Sequence, residues 1–451
     1  MLATTTAAPS WKQLLRYVIP AASAMVLFSL YTVIDGILVA HGVSESALTS
    51  VNISLPFINV LSGLSILLSM GASTLCAFAL GRGKKREAEE IFTQTVVVMV
   101  ILSAAITVGV LLFTEELALF LGAGPQTLEN AVTYLRIVSV FSVCFILSYC
   151  LEVMVKVDDS PVLATVGVAV AAVVHVGLAY VFIFHFHWGV AGSALATGLA
   201  QLCSLIVFLI YFVGGKSDLR FRKFRFQPKT LLRSLPLGVA DCSIEFMLGF
   251  LTVLYNNLLF LLFGESHQTI YAVIAYLSLL VFMVMQGIAQ GMMPLVSVAV
   301  GKGDRKAIRF YFLRSLVLVV GAEVLIVAAC LLLPQRFAAI LLSTDSPLFT
   351  QAVAALRQYA LSYLLAGINI LLAGFFTALG HGKASCLLSL SRGFVLLPAA
   401  ILVLSHLTGG QAIWIAALAG EGLSFVLGLV LLKRITASPA PLPAQEAEPA
   451  V

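Results

Sequence analysis

Long, nearly uninterrupted apolar stretches restrict most strongly what this chain can fold into. Its 451 residues are 61% hydrophobic and only 10% charged, whereas a soluble domain carries about 25% charged residues. A chain this apolar uses lipid as part of its solvent, where every backbone amide must bond within the protein. Because the apolar runs are continuous and do not alternate with a period of two, they predict transmembrane helices and not a barrel.

Twelve stretches are long enough to cross a bilayer, which takes about 20 apolar residues. They leave no room for a large domain outside the membrane. The predicted spans are Leu14–Val39, Val51–Leu80, Ile91–Phe113, Ala131–Val155, Val162–Phe184, Val190–Val213, Leu231–Phe263, Thr269–Val300, Phe310–Leu333, Ala352–Leu379, Ala384–Leu404 and Ala412–Leu432.

Lysine and arginine lie mainly in alternate loops. Basic clusters follow the second, sixth and eighth spans, at 82–86, 216–229 and 302–309, and Lys433 and Arg434 follow the last span. Basic loops stay on the cytoplasmic side, so we expect a multi-pass protein of the plasma or inner membrane with both termini cytoplasmic. This rule and contact with anionic lipid explain the basic loops, and no nucleic acid partner is predicted. Three of the 26 Lys and Arg residues are assigned to the other side: Arg136, Arg336 and Arg357.

Two sequence matches indicate an internal duplication. The glycines at 71, 81 and 83 recur at 291, 301 and 303, an offset of 220, and Leu135-Arg136 recurs as Leu356-Arg357, an offset of 221. Because each repeat has six spans, the two halves should run parallel, as in transporters with parallel repeats. We predict a first six-helix lobe over 1–213, a basic linker over 214–229, a second lobe over 230–436 and a disordered tail over 437–451. The glycines themselves suggest close helix packing and a turn.

Carboxylates inside the spans are the first candidates for function, since an ionisable group in lipid costs a few kcal/mol. Asp35 has no basic neighbour in sequence and is expected to carry a proton, although a hydrogen-bonded carboxylate near the interface is an alternative. Asp241 and Glu245 lie on one helix face, where they could share a proton, bind a cation or bond to another helix. The other carboxylates in the spans are Glu152, expected to pair with Lys156, and Glu323 and Glu421.

Three uncharged polar residues complete the predicted ion or substrate site: His175, Asn256 and Asn369. Each has a simpler explanation in hydrogen-bonded packing. The sequence contains no HExxH, GxSxG or P-loop motif, so neither an enzyme nor built-in ATP hydrolysis is predicted. No cofactor or metal centre is expected.

Five segments carry a resemblance to a known family: Tyr31–Leu48, Lys156–Pro161, Trp188–Thr197, Gln290–Pro294 and Ala378–Lys383. In order and spacing they are similar to motifs of the multidrug and toxic compound extrusion (MATE) family, over nearly all twelve spans. The resemblance implies two six-helix lobes around a cleft, and export of organic cations or amphiphiles in exchange for protons or sodium. It assigns the family's first-span acid to Asp35 and its span-seven acid to Glu245.

The chain departs from the family pattern at two places. Many members have Asn and Asp where span five has His175 and Ala179, and sodium-coupled members often have Asp where span ten has Asn369. We therefore predict proton antiport as the main mode, by a monomer in contact with lipid. The alternatives are a lipid-linked oligosaccharide flippase, whose cavity should be rich in Arg and Lys, and a membrane-embedded enzyme, which measurable product turnover would reveal.

Overall fold

The computed structural model describes residues 8–43, 45–125, 127–215, 217–263, 266–339, 342 and 344–437. Within the helices, the side chains of residues 28, 31–33, 35–37, 40–42, 45–49, 52, 248, 266, 268–269 and 272 lie outside this description. The predicted tail beyond residue 437 and the side chain of Asp35 therefore lie outside the described residues. In the described part the chain forms helices joined by short turns, with no strand, which confirms the all-α prediction.

Seventeen helices run through the described residues. They are α1 (Trp11–Gly42), α2 (Glu45–Gly81), α3 (Lys85–Leu112), α4 (Thr114–Phe120), α5 (Leu128–Val140), α6 (Ser142–Val157), α7 (Pro161–Tyr180), α8 (Gly189–Val213), α9 (Pro228–Phe263), α10 (Ser266–Lys302), α11 (Arg305–Leu332), α12 (Pro334–Ala339), α13 (Phe349–Ala360), α14 (Tyr363–Ala378), α15 (Gly382–Ser391), α16 (Leu397–Leu407) and α17 (Ala416–Ala437). Two π-helical segments continue α7 and join α15 to α16: Val181–His185 and Arg392–Leu396.

The described residues contain nine helices long and apolar enough to cross a membrane, or eleven if each of two bent helix pairs is one span. The 32-residue helix α1, whose side chains are described only in part, brings the number to the twelve predicted spans. Helices α4 and α12 are short and lie between spans, where the sequence predicted only connections. Many leucine, valine and phenylalanine side chains on the spans are exposed, as lipid-facing surfaces require.

Spans four and ten are broken, which the sequence analysis did not predict. The α5–α6 pair bends by 50° and the α13–α14 pair by 42°. At the first bend, the Thr107 hydroxyl donates to the Ser139 carbonyl at 2.7 Å and contacts the Ser142 hydroxyl at 2.7 Å. At the second, the Ser362 hydroxyl donates to the Tyr359 carbonyl at 2.7 Å. Hydroxyl groups thus bond to backbone carbonyls at both bends, and neither bend contains proline or glycine.

The two halves repeat each other helix by helix. Helices α3 and α11 each have 28 residues and begin at 85 and 305, while α6 and α14 each have 16 and begin at 142 and 363. Helices α2 and α10 lead into the same turn, with Gly83 and Gly303 at φ of 73° and 72°. The offsets of 220 and 221 residues found in the sequence thus extend to the helix boundaries.

The chain divides into two compact units. The first unit contains Ser23–Gly238, and the second contains Ala7–Ala22 and Val239–Val451, as far as these ranges are described. The linker residues 217–229 therefore belong to the first unit. In the first unit α6 is almost wholly buried, and α14 takes the same place in the second.

The repeated glycines allow helices to approach closely within each unit. In the first unit, a Cβ atom on Gly71 would meet the Ser234 carbonyl of α9, and one on Gly238 would meet the Leu67 carbonyl of α2. In the second unit, a Cβ on Gly291 of α10 would lie 2.6 Å from the Val18 Cα of α1. The first part of α9 thus packs in the first unit, and the first part of α1 packs in the second. Close packing is confirmed as the role of Gly71 and Gly291.

Candidate functional site

Asp241 and Glu245 occupy successive turns of α9, as predicted. Asp241 is buried, and its Oδ1 accepts a hydrogen bond of 2.6 Å from Gln286 Nε2 on α10. The side chain of Glu245 is partly exposed, and it makes no ion pair with any described residue. One acid of the pair is therefore held by an amide, and the other is left to interact with whatever enters beside it.

Asn369 and Glu421 meet in the interior of the second unit. Both side chains are buried, and Asn369 Nδ2 donates to Glu421 Oε2 at 2.7 Å and to the Glu421 carbonyl at 3.0 Å. Two acceptors on the same side fix the orientation of the amide, since its oxygen could not replace the nitrogen there. The Asn369 Oδ1 and the Gln286 Oε1 are buried without a hydrogen-bond partner in the described chain. Both remain available as acceptors.

Arg392 is the functional candidate that the sequence analysis missed. It is 3% exposed, and its Nε and Nη2 bond to both carboxylate oxygens of Glu421 at 2.8 to 3.1 Å. Its guanidinium also lies 5.8 Å from the ring centre of Phe282. The loop-based assignment of basic residues did not consider an arginine inside span eleven. The signal was nevertheless present, as a single arginine in the apolar run 384–404.

A small cavity adjoins this cluster. Asn369 and Arg392 line it together with Ser243 and Met247 of α9 and Ser389 of α15. Arg392 is the first residue of the π-helical segment that joins α15 to α16. Such segments recur at functional sites because they re-aim side chains within a helix. The cavity joins a polar wall to apolar groups such as Met247.

Glu323 is a second buried acid of the same unit. It is 1% exposed, and its Oε1 accepts hydrogen bonds from the backbone N–H groups of Gly367 at 2.7 Å and Ile368 at 3.2 Å. Its Oε2 is buried without a partner among the described residues. The three consecutive residues 367–369 of α14 thus bind Glu323 through the backbone and Glu421 through a side chain.

Most of the other predicted residues belong to the first unit. His175 is buried, and its Nε2 lies 3.4 Å from the Thr197 hydroxyl of α8. Asp35 belongs to α1, with its side chain outside the described part. Glu152 and Lys156 form the expected ion pair at 2.8 Å. In the second unit, Asn256 follows Glu245 on α9 by eleven residues, about 16 Å along the helix.

Comparisons with known proteins agree with this fold. The family model described as MatE matches residues 20–181 and 242–402. The multidrug export protein MepA of Staphylococcus aureus (strain NCTC 8325 / PS 47) is 22% identical over 94% of both chains. MepA of Staphylococcus haemolyticus (strain JCSC1435) is 24% identical over 85% of this chain and 86% of the relative.

Solved structures show the same fold. A crystal structure of MATE in complex with MaL6 gives a TM-score of 0.90 at 20% identity, covering 97% of this chain and 98% of the other. The outward-facing conformation of a multidrug resistance MATE family transporter of the MOP superfamily gives 0.89 at 20% identity, covering 97% of both chains. These likenesses establish the twelve-helix, two-lobe layout.

Proposed function

This chain belongs to the MatE family of transporters, and we propose that it exports amphiphilic organic cations in exchange for protons. Relatives that match along 94% of its length are multidrug export proteins. Substrates of that kind combine an apolar body with a positive charge, so their site needs apolar walls and a counter-charge. The interior of the second unit provides both.

The charge balance of that interior carries the proposal. Glu245 makes no ion pair with any described residue, whereas the buried Arg392 is engaged by Glu421. The charge left for a ligand is therefore a carboxylate. In a low-dielectric interior a carboxylate attracts a cation far more strongly than it does in water.

The same pairing argues against a flippase for anionic lipid-linked sugars. Such a substrate needs arginine or lysine groups that can turn toward a phosphate. Arg392 donates to both oxygens of Glu421, so it is not available for a phosphate. The cavity-lining Asn369 instead offers an acceptor, its Oδ1.

Proton coupling is supported by the donors around Glu421. Sodium binds a cage of several oxygens, but Asn369 turns its nitrogen toward Glu421 and Arg392 adds its guanidinium. A proton needs only one carboxyl group that alternates between two states, and Asp35 in the first span is our candidate. The basic loops favour cytoplasmic termini in the plasma or inner membrane, so that export would use the inward proton gradient.

Transport by purified protein in liposomes tests this function. With a fluorescent organic cation, a pH gradient in sodium-free buffer should drive exchange, and a protonophore should abolish it. Asp35→Asn should elute as a folded protein and lose gradient-driven exchange, because an amide cannot release a proton. Exchange that requires sodium and ignores the pH gradient would overturn proton coupling. It would direct attention to Asp241, Glu245 and Asn369 as a sodium site.

A further inference from the structure

Glu323 combines full burial with one unsatisfied oxygen. Its Oε1 accepts two backbone N–H groups of α14, while its Oε2 has no partner in the described chain. An oxygen with full negative charge is costly to bury without a donor. A proton or another cation on Oε2 would remove this cost.

We propose that Glu323 is a proton-binding site of the second unit, with the exchangeable proton on Oε2. The proposal rests on the transport function above and adds a second protonation site, separate from Asp35 in the first span. The ligand is a proton and not a metal cation, because the groups of the described residues that bond to the carboxyl are N–H donors. These donors repel a cation but leave room for an O–H bond on the other oxygen.

The first unit has no acid at the position that corresponds to Glu323. The helix pairs place Ser103 at the position of Glu323 and Ile146 at the position of Gly367. Ser103 donates to the Val100 carbonyl of its own helix at 2.9 Å. The first unit thus builds the same bent span without a carboxyl group there. Glycine at 367 allows the close approach of this acid, because a Cβ there would lie 2.6 Å from Glu323 Oε1.

The other charged groups around α11 are paired elsewhere or lie toward the ends of their helices. Glu421 on α17 is another buried acid of the second unit, and it already pairs with Arg392. Helices α10, α12, α13 and α14 pack against α11. The charged or titratable side chains of these four helices are His267, Tyr271, Tyr276 and Lys302 of α10, Arg336 of α12, Arg357 and Tyr359 of α13, and Tyr363 of α14. The basic groups lie toward the ends of their helices, and Lys302, Arg336 and Arg357 are exposed.

Protonation of Glu323 would act directly on span ten. A carboxylate accepts N–H hydrogen bonds about twice as strongly as a neutral acid does. Binding of the proton therefore weakens the hydrogen bonds from the Gly367 and Ile368 N–H groups to Glu323. These residues directly precede Asn369, which lines the cavity. Release of the proton strengthens the two hydrogen bonds again. The site thus links proton occupancy to the part of α14 that lines the small cavity beside Arg392.

Hydrogen exchange of the full-length protein in lipid nanodiscs tests the site without transport. After correction for intrinsic rates, the segment containing Gly367 and Ile368 should exchange roughly fivefold more slowly at high pH than at low pH. Glu323→Gln keeps an acceptor oxygen but cannot be charged, so it should exchange at the faster rate at every pH. The matched control is Glu152→Gln, a buried acid of the first unit on the repeat counterpart of α14, which should leave the titration unchanged.

The outcomes separate this site from the proposed function. A flat pH profile in the wild type, or a profile that survives in Glu323→Gln, overturns the site even if a pH gradient drives transport. Protection that follows sodium at fixed pH overturns it in favour of a cation. A titration as expected, together with failed proton-driven transport, keeps the site and removes the function. A flat wild-type profile overturns the site even if Glu323→Gln does not fold.

Discussion

In the first unit, the Ser148 hydroxyl of α6 donates to the side-chain amide oxygen, Oε1, of Gln201 on α8 at 2.7 Å. On the corresponding helices of the second unit, Asn369 of α14 donates to Glu421 of α17 at the same distance, and Arg392 joins them. A neutral pair can be buried at little cost, whereas a charged one must be fully matched. At these corresponding positions, the first unit therefore has a neutral pair and the second unit a charged cluster.

Arg392→Gln should have the largest effect, because it leaves Glu421 charged, buried and only partly bonded. We expect a loss of about 3–5 kcal/mol in folding free energy, seen as early loss of the monodisperse peak when detergent-solubilised protein is heated. Lys156→Gln in the first unit should cost less, since the Glu152–Lys156 pair ends a helix.

The double variant Arg392→Gln/Glu421→Gln sharpens this test. Removing both charges should recover much of the lost stability, because no unpaired charge then remains in the core. Equal losses for Arg392→Gln and Lys156→Gln would show that the two units do not differ in the way described.

Glu245→Gln should selectively weaken cation binding. We expect roughly tenfold weaker binding of an organic cation, which is about 1.4 kcal/mol, and unchanged binding of a neutral amphiphile of similar size. Tryptophan fluorescence titration of purified protein measures both. The control is Glu115→Gln, at an exposed acid of α4 in the first unit, which should change neither affinity by more than about twofold. A similar loss for both ligands in Glu245→Gln would point to packing and not to charge.

Gly367→Ala should have a moderate effect. The added methyl group would displace Glu323 Oε1, which holds two N–H groups, and also Met285. Loss of these bonds should cost about 1–3 kcal/mol, measured by the same heating assay. Gly321→Ala on α11 is the control, since nothing lies within 4 Å of its Cβ position, and it should stabilise by up to about 1 kcal/mol. Equal stability of the two variants would show that the close contact between Gly367 and Glu323 does not contribute to stability.

Substitution of Asp158 should have the smallest effect, a change in how firmly the linker 217–229 docks on the first unit. Its carboxylate accepts the N–H groups of Asp218 and Leu219 at 3.1 to 3.2 Å, and burial raises the pKa of Asp158. A raised pKa means that the docked linker favours the neutral form, so docking weakens as pH rises through that pKa. Asp158→Asn is neutral and keeps one acceptor oxygen.

Limited proteolysis at a fixed pH measures how firmly the linker is held. Asp158→Asn should leave cleavage within 217–229 close to wild type, whereas Asp158→Ala removes the acceptor and should raise cleavage several-fold. Rapid cleavage in Asp158→Asn would mean that the charge of Asp158, and not its hydrogen bonds, holds the linker.

Features repeated along the chain were predictable, and contacts between distant residues were not. The glycine turn at Gly83 and Gly303 and the Glu152–Lys156 pair follow from local spacing. The bends in spans four and ten depend on hydroxyls such as Thr107, supplied by another helix in one case and by the bend itself in the other. No local pattern of the usual breakers marks them.

The same distinction between predictable residues and unpredictable contacts applies to the candidate site. Asp241, Glu245 and Asn369 could be selected as polar residues in apolar runs, because burial of such groups requires a reason. Arg392 carried the same signal but was overlooked. Its partner Glu421 lies 29 residues further along, and Gly367 lies 44 residues from Glu323. Pairings over such separations depend on how helices pack, and a single sequence does not specify that.

The placement of the first part of α1 has a consequence for biosynthesis. Val18 packs against Gly291, so this segment leaves the ribosome 273 residues before its partner is made. The first part of α9 finds α2 already inserted, through Gly238 and Leu67. A nascent chain that ends soon after Gly238 has the helices of its first unit but must shelter the start of α1 in lipid until α10 arrives. Order of synthesis therefore makes the second unit the later to be completed.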